Sequence, residues 1–100
     1  MRKGRCSIAG QVYLLTSTTC RRRPVFADQA LGRVVMEAID HHGARGQTMN
    51  FAYVVMPDHF HWLLALGEGV TLVKIMASVK GYSSRTIKKL AREYFAEGTL

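Results

Sequence analysis

The sequence predicts an α+β fold of the ferredoxin-like type, a split βαβ antiparallel sheet with its helices on one face. Three observations point to it. Residues 11–19 are rich in β-branched and aromatic side chains, the composition of a strand. Residues 48–56 and 59–66 are two apolar runs separated only by Pro57 and Asp58, a pair that favours a turn, so they form a hairpin. Two further stretches, opening near Asp28 and Thr71, repeat apolar residues at helical spacing. The order is βαββα, which lacks only a closing strand of the split βαβ unit. All 100 residues are expected to form one domain.

The elements follow in order. Arg2, Lys3 and Arg5 give residues 1–10 the character of a basic arm without apolar periodicity. After the first strand come Arg21, Arg22 and Arg23, then Pro24. Three successive guanidinium groups do not fit a core. They form a loop that is either a solvated turn or a phosphate contact. Asp28 is placed to cap the first helix. Leu31, Val34, Val35, Ala38 and Ile39 make its buried stripe. His41 and His42 fall in its last turn, where a histidine suits the negative end of the helix dipole. Gly43 is expected to end the helix as its C′ residue. Thr71 is expected to cap the second helix, whose apolar face holds Leu72, Ile75, Met76, Val79, Ile87, Leu90 and Ala91. Lys74, Lys80, Arg85, Lys88, Lys89 and Arg92 populate the remainder. Gly81 lies mid-helix at a cost of about 1 kcal/mol relative to alanine.

Composition narrows the function. Apolar residues make up 48%, too many for a disordered chain. No apolar run approaches the roughly 18 residues of a membrane span, and no signal core follows the basic N-terminus. A cytoplasmic location without membrane association is therefore expected. Cys6 and Cys20 are expected to be reduced thiols. Lys and Arg number 14 against 7 Asp and Glu, giving +7 and a pI near 9.9. That balance suits a polyanion, most often nucleic acid.

The hairpin carries the chemistry. Residues i and i+2 of a strand share a face. Strict alternation therefore puts Phe60, Trp62, Leu64 and Leu66 on one side and His59 and His61 together on the other. A one-residue slip would expose Phe60 and Trp62, and burial at about 25 cal/mol per Å² opposes it. Neighbouring imidazoles can hold a divalent cation. They also serve as polar residues near the exposed end of a purely structural strand.

The run Tyr53-Val54-Val55-Met56-Pro57-Asp58-His59-Phe60-His61-Trp62-Leu63-Leu64 resembles the signature of REP-associated tyrosine transposases. These belong to the single-strand transposases and nucleases with a His-hydrophobe-His (HUH) motif. Gly10-Gln11-Val12-Tyr13, Pro24-Val25-Phe26 and the stretch from Val79 to Arg85 resemble other parts of the family pattern in the same order, and the likeness spans residues 5–100. It implies that His59 and His61 hold Mg²⁺ or Mn²⁺ against a scissile phosphate of single-stranded DNA beside a hairpin. It further implies a tyrosine nucleophile, a 5′-phosphotyrosine link and a free 3′-OH, with a third metal ligand supplied from elsewhere. The family's catalytic tyrosine would fall after Leu100, so the chain is expected to be C-terminally truncated and to lack its own nucleophile.

Among the tyrosines present, Tyr13 and Tyr53 read as packing groups, and Tyr82 and Tyr94 are the fallback nucleophiles. Arg21, Arg22, Arg23, Lys80, Arg85, Lys88 and Lys89 are the candidate DNA contacts. The oligomeric state, monomer or dimer, stays open. The competing reading is a non-catalytic nucleic-acid-binding module with basic backbone contacts. Its stacking-platform version is weakened because Phe60 and Trp62 share the face opposite the histidines. A two-histidine phosphoesterase is set aside, since its paired His-x-Ser/Thr motifs are missing.

Overall fold

The computed structural model describes residues 8–96, with side chains through Arg92. Strand β1 (Val12–Thr18) leads through two 3-10 turns, Cys20–Arg22 and Val25–Ala27, into helix α1 (Gln29–Ala44). Strands β2 (Thr48–Met56) and β3 (His59–Leu66) follow, then helix α2 (Leu72–Ala96). The βαββα order is as expected. The sheet order is β1-β3-β2, and both pairings are antiparallel. β1 and β2 thus run parallel with β3 inserted between them, which defines the split βαβ arrangement.

The alternation of β3 decides which face is covered. Phe60, Trp62, Leu64 and Leu66 are all buried against Val35, Ala38 and Ile39 of α1 and Leu72, Ile75 and Val79 of α2. Trp62 is the largest side chain with no exposed surface. Its indole Nε1–H donates to Asn50 Oδ1 at 2.9 Å, and that oxygen also accepts from Thr48 Oγ1. Asn50 Nδ2 in turn donates to the Ile39 carbonyl at 3.0 Å. One amide therefore satisfies the polar atom of the core tryptophan and ties β2 to α1. A β-bulge between Asn50 and Ala52 lets this happen. It shifts the alternation, so that Asn50, Tyr53 and Val55 pair opposite Leu64, Trp62 and Phe60.

The caps follow the sequence at the helix starts and depart from it at one end. Asp28 Oδ1 accepts from the Ala30 N–H, and Thr71 Oγ1 accepts from the Lys74 N–H, as expected. Gly43 does not terminate α1. The helix runs on to Ala44, and Gly46, with φ +74°, takes the left-handed turn. Gly43 is small for a different reason: a Cβ there would lie 2.7 Å from Asn50 Nδ2. Gly43→Ala gains about 1 kcal/mol of helix propensity. It must nevertheless displace a side chain fixed by three hydrogen bonds. We expect a net loss of about 1–3 kcal/mol, read as a lowered urea midpoint at unchanged m-value.

The apolar stripe of α2 also needs correction at its far end. Leu72, Ile75 and Val79 are buried, Ile87 is half-buried, and Leu90 is exposed. His42 is not a solvated helix-end residue. It is buried, with Nδ1 at 2.6 Å from Gln47 Oε1 and Nε2 at 3.1 Å from Ser78 Oγ. His41 beside it is exposed.

Candidate metal and DNA site

The face of the sheet away from the helices carries His59 and His61, as the alternation requires. Their ring centroids are 4.9 Å apart and the planes are inclined by 78°. Each ring is held through Nδ1. His61 Nδ1 lies 2.8 Å from Oγ1 of Thr16, its partner residue on β1. His59 Nδ1 lies 2.7 Å from Asp58 Oδ1. A carboxylate can only accept, so His59 donates from Nδ1 and its Nε2 is the nitrogen turned away from Asp58. The Thr16 hydroxyl can accept in the same way from His61. An imidazole fixed by a polar partner on one nitrogen and open on the other is the usual form of a histidine metal ligand.

Asp58 is itself positioned. Its Oδ2 accepts from Arg22 Nε at 2.9 Å. The hydrogen bond from His59, followed by that from Arg22, holds its carboxyl below the usual carboxylate range. Its support of His59 is therefore present at neutral pH and is lost only as pH falls through that lowered value. Arg21 and Arg22 both have φ 57°, a left-handed conformation that non-glycine residues adopt only when the surroundings impose it. Here Thr19 imposes it. Its N–H donates to the Asp58 carbonyl, its Oγ1 donates to the Arg23 carbonyl at 2.6 Å, and its carbonyl accepts the Arg22 N–H. The arginine loop is thus pinned to the hairpin turn.

Asp58→Ala removes the partner of His59 and the anchor of Arg22 together. It is expected to weaken Mn²⁺ binding by about 10- to 100-fold, as losses of such supporting groups do. Isothermal titration at pH 7.5 measures this. A change below threefold would show that Asp58 does not orient the ring.

The other sequence candidates divide. Arg23, Lys80 and Lys88 come together around one groove. Arg85 instead lines a separate cleft with Glu37, His41 and Tyr82 in the helix layer. Lys89 is exposed on α2. Tyr82 is 42% exposed on the helix side, so the sheet separates it from the histidine pair. Tyr13 and Tyr53 pack against the core, as expected. Tyr53 Oη lies 3.5 Å from Asp40 Oδ2. Desolvation, then the Asp40 charge, pushes its hydroxyl pKa up. The side chain of Tyr94, like residues 1–7 with Cys6, lies outside the described residues. Cys20 is a free, exposed thiol. Among the described residues no cluster of three His, Cys, Asp or Glu side chains could hold a metal. Among the same residues no helix is long and apolar enough to cross a membrane.

The sequence does not reveal Thr16 or Arg22 as partners of this site. Both act across strand pairings that no local pattern encodes. Asp58 does have a local signal, since it immediately precedes His59.

Fold and site define a class: an α+β domain whose antiparallel sheet is covered by helices on one face and presents a His-hydrophobe-His pair on the other. Within that class the chain belongs to the IS200-like transposases, whose family model matches residues 8–98. Two solved structures share the fold. One is a candidate transposase from Deinococcus radiodurans R1, with TM-score 0.68 and 24% identity over 90% of this chain and 68% of that one. The other is a REP-associated tyrosine transposase bound to a REP hairpin, with TM-score 0.68 and 22% identity over 86% of this chain and 52% of that one. The chain thus spans about two thirds and about half of their lengths. A comparison with curated protein sequences found no match.

Proposed function

We propose that this chain is the metal- and DNA-holding part of a single-strand DNA transposase or endonuclease that acts beside a DNA hairpin. The observation that carries this reading is the pair of half-buried imidazoles on the uncovered face, whose Nδ1 atoms are both engaged and whose Nε2 atoms have no partner among the described residues. By the family resemblance they would hold two positions around Mg²⁺ or Mn²⁺, hard ions whose remaining positions suit oxygens of a phosphate and water. Such an ion, when bound, polarises a phosphoryl oxygen and orients attack on phosphorus. The chain's own residues do the positioning. Thr16 and Asp58 hold the rings, and Arg22 holds Asp58. A net charge of +7 draws the DNA backbone. A hairpin substrate is supported by the fold likeness to a transposase solved with one.

In this reading a tyrosine hydroxyl attacks phosphorus, forms the new O–P bond to the 5′-phosphate and expels the 3′-oxygen as a free 3′-OH. The phosphotyrosine bond keeps the strand competent for rejoining. That nucleophile is none of Tyr13, Tyr53 and Tyr82. The first two are packing groups and the third sits on the helix side. The same placement favours, as a second reading, a non-catalytic nucleic-acid-binding module.

One experiment separates them. A hairpin oligonucleotide with a single-stranded flank is titrated with the protein, with and without Mn²⁺, and the products are run on a denaturing gel. The proposal expects Mn²⁺ to raise affinity. An adduct lost on Tyr82→Phe would overturn its exclusion, and one lost on Tyr94→Phe would identify that residue as the nucleophile. An affinity indifferent to Mn²⁺ would favour the binding module.

A further inference from the structure

The carboxylate beside the histidine pair is gripped from outside its own hairpin. Asp58 is the last residue before β3. Adjacent residues on a regular strand face opposite sides. Asp58 reaches the ring of its own neighbour only because it lies in the turn, where no strand geometry directs its side chain. Its two oxygens are divided between two partners. Oδ1 lies 2.7 Å from His59 Nδ1, and Oδ2 accepts from Arg22 Nε at 2.9 Å. A carboxylate held on both oxygens cannot rotate without breaking one of these contacts.

The arginine loop is built to bring Arg22 to this place. Its backbone meets the turn at two points. The Thr19 N–H donates to the Asp58 carbonyl at 2.9 Å, and the Phe26 N–H donates to the Pro57 carbonyl at 2.8 Å. Between them Arg21 and Arg22 both hold φ 57°. Backbone strain of this kind gathers at functional sites. Stability does not explain it here. The Arg22 side chain is 64% exposed, and exposed ion pairs contribute little to stability. Arg21 has the same charge and the same φ, but it forms no ion pair among the described residues. Arg22 alone of the two touches the support of a histidine.

We propose that Arg22 is a positioning residue for His59, acting through Asp58 and not through its charge. The guanidinium fixes the carboxylate, and the carboxylate fixes the imidazole with Nε2 turned away from it. An arginine beside a cation site has two effects of opposite sign. Its charge repels a divalent ion, so by charge alone its removal strengthens binding. Its grip holds the ring, so by position its removal weakens binding. The consequence for a cation rests on the metal reading above, whereas the effect on the ring does not.

Arg21→Ala is the control, since it removes the same charge from the same backbone conformation. Three-bond side-chain couplings of both histidines, read by NMR in metal-free protein, report their χ1 rotamers. His59 should keep one staggered rotamer in the parent and in Arg21→Ala. Arg22→Ala should average the His59 couplings and leave those of His61, which Thr16 holds, unchanged. Calorimetric titration with Mn²⁺ should show affinity weakened about fivefold or more in Arg22→Ala, below the roughly 10- to 100-fold of losing a direct partner. Arg21→Ala should change it less than about twofold. Added to Asp58→Ala, Arg22→Ala should cost less than about twofold further, because the group through which it acts is gone. A His59 rotamer indifferent to Arg22 would overturn the positioning role. So would tighter Mn²⁺ binding in Arg22→Ala, which charge alone explains. A fall in urea midpoint with averaged couplings at both histidines would make the ion pair structural and also overturn it. If the parent binds no Mn²⁺ but Arg22→Ala still frees the His59 ring, the metal reading fails and this one stands.

Discussion

His59→Ala/His61→Ala is expected to reduce Mn²⁺ affinity by more than about a hundredfold while leaving the fold intact. The lower bound follows from the supporting groups: loss of one such group already costs about 10- to 100-fold, and this variant removes the ligands themselves. The fold should tolerate it because both rings sit on the uncovered face, outside the cluster around Trp62. Substitutions outside a core usually change stability by about 0.5 kcal/mol. Thr16 and Asp58 each lose a hydrogen bond, but neither is buried, and water replaces it. Titration calorimetry and a urea melt on one sample read both effects. A double variant that binds Mn²⁺ as tightly as the parent would remove the metal from the site. A variant that unfolds would show that the rings are structural after all.

Much of this site was legible because a single strand encodes it. Period-two alternation from His59 to Leu66 places the apolar side chains inward, and the same arithmetic sends the histidines outward. Hydrophobic burial fixes that choice, since no other register hides Trp62. The Pro57-Asp58 turn fixes the hairpin for a similarly local reason. What was not legible depends on contacts between segments. The bulge near Phe51 has no signature in its own residues, yet it reverses which residues of β2 face the core. Gly43 has the ordinary appearance of a helix terminator, and only the approach of Asn50 explains it. The basic residues marked as DNA contacts share one charge but not one place. Arg22 is occupied by Asp58, Arg23 and the two lysines border the groove, and Arg85 faces Glu37's cleft. Charge counting cannot separate these roles, because each depends on a neighbour distant in sequence.

The open face raises a related point. Val12, Leu14, Met49, Phe51, Val54 and Met56 are each more than 40% exposed. Leu14 and Val54 flank the histidine layer through their pairings with Leu63 and His61. Water is poorly held by such a surface, so an ion on the two imidazoles would sit at the edge of an apolar field. Charge interactions there are stronger than in bulk water. Such an ion would also lose hydration that two imidazoles do not replace, so the negative charge of a phosphate would supply the larger part of its hold.

Trp62→Ala is the substitution expected to cost most in stability. Truncating a fully buried tryptophan typically costs about 3–5 kcal/mol, against about 5–15 kcal/mol for a whole domain. For a domain of this size that is a fall in Tm of roughly 12 °C or more. Two terms contribute. The cavity opens where β3 meets both helices, among Ile39, Leu64 and Val79. Asn50 also loses its indole donor, although Thr48 still satisfies the same oxygen. Trp62→Phe separates the terms in part, since it keeps most of the apolar volume while removing the Nε1–H and part of the indole. It should cost about 1–2 kcal/mol, the value of one buried hydrogen bond with slight underpacking. The pairing of His61 with Thr16 lies on the opposite face of the same strand. The phenylalanine variant should therefore keep the parent Mn²⁺ affinity below its melting temperature. A large affinity loss in Trp62→Phe, with the fold intact by near-UV circular dichroism, would mean that the ring geometry depends on the core in a way the strand register does not explain.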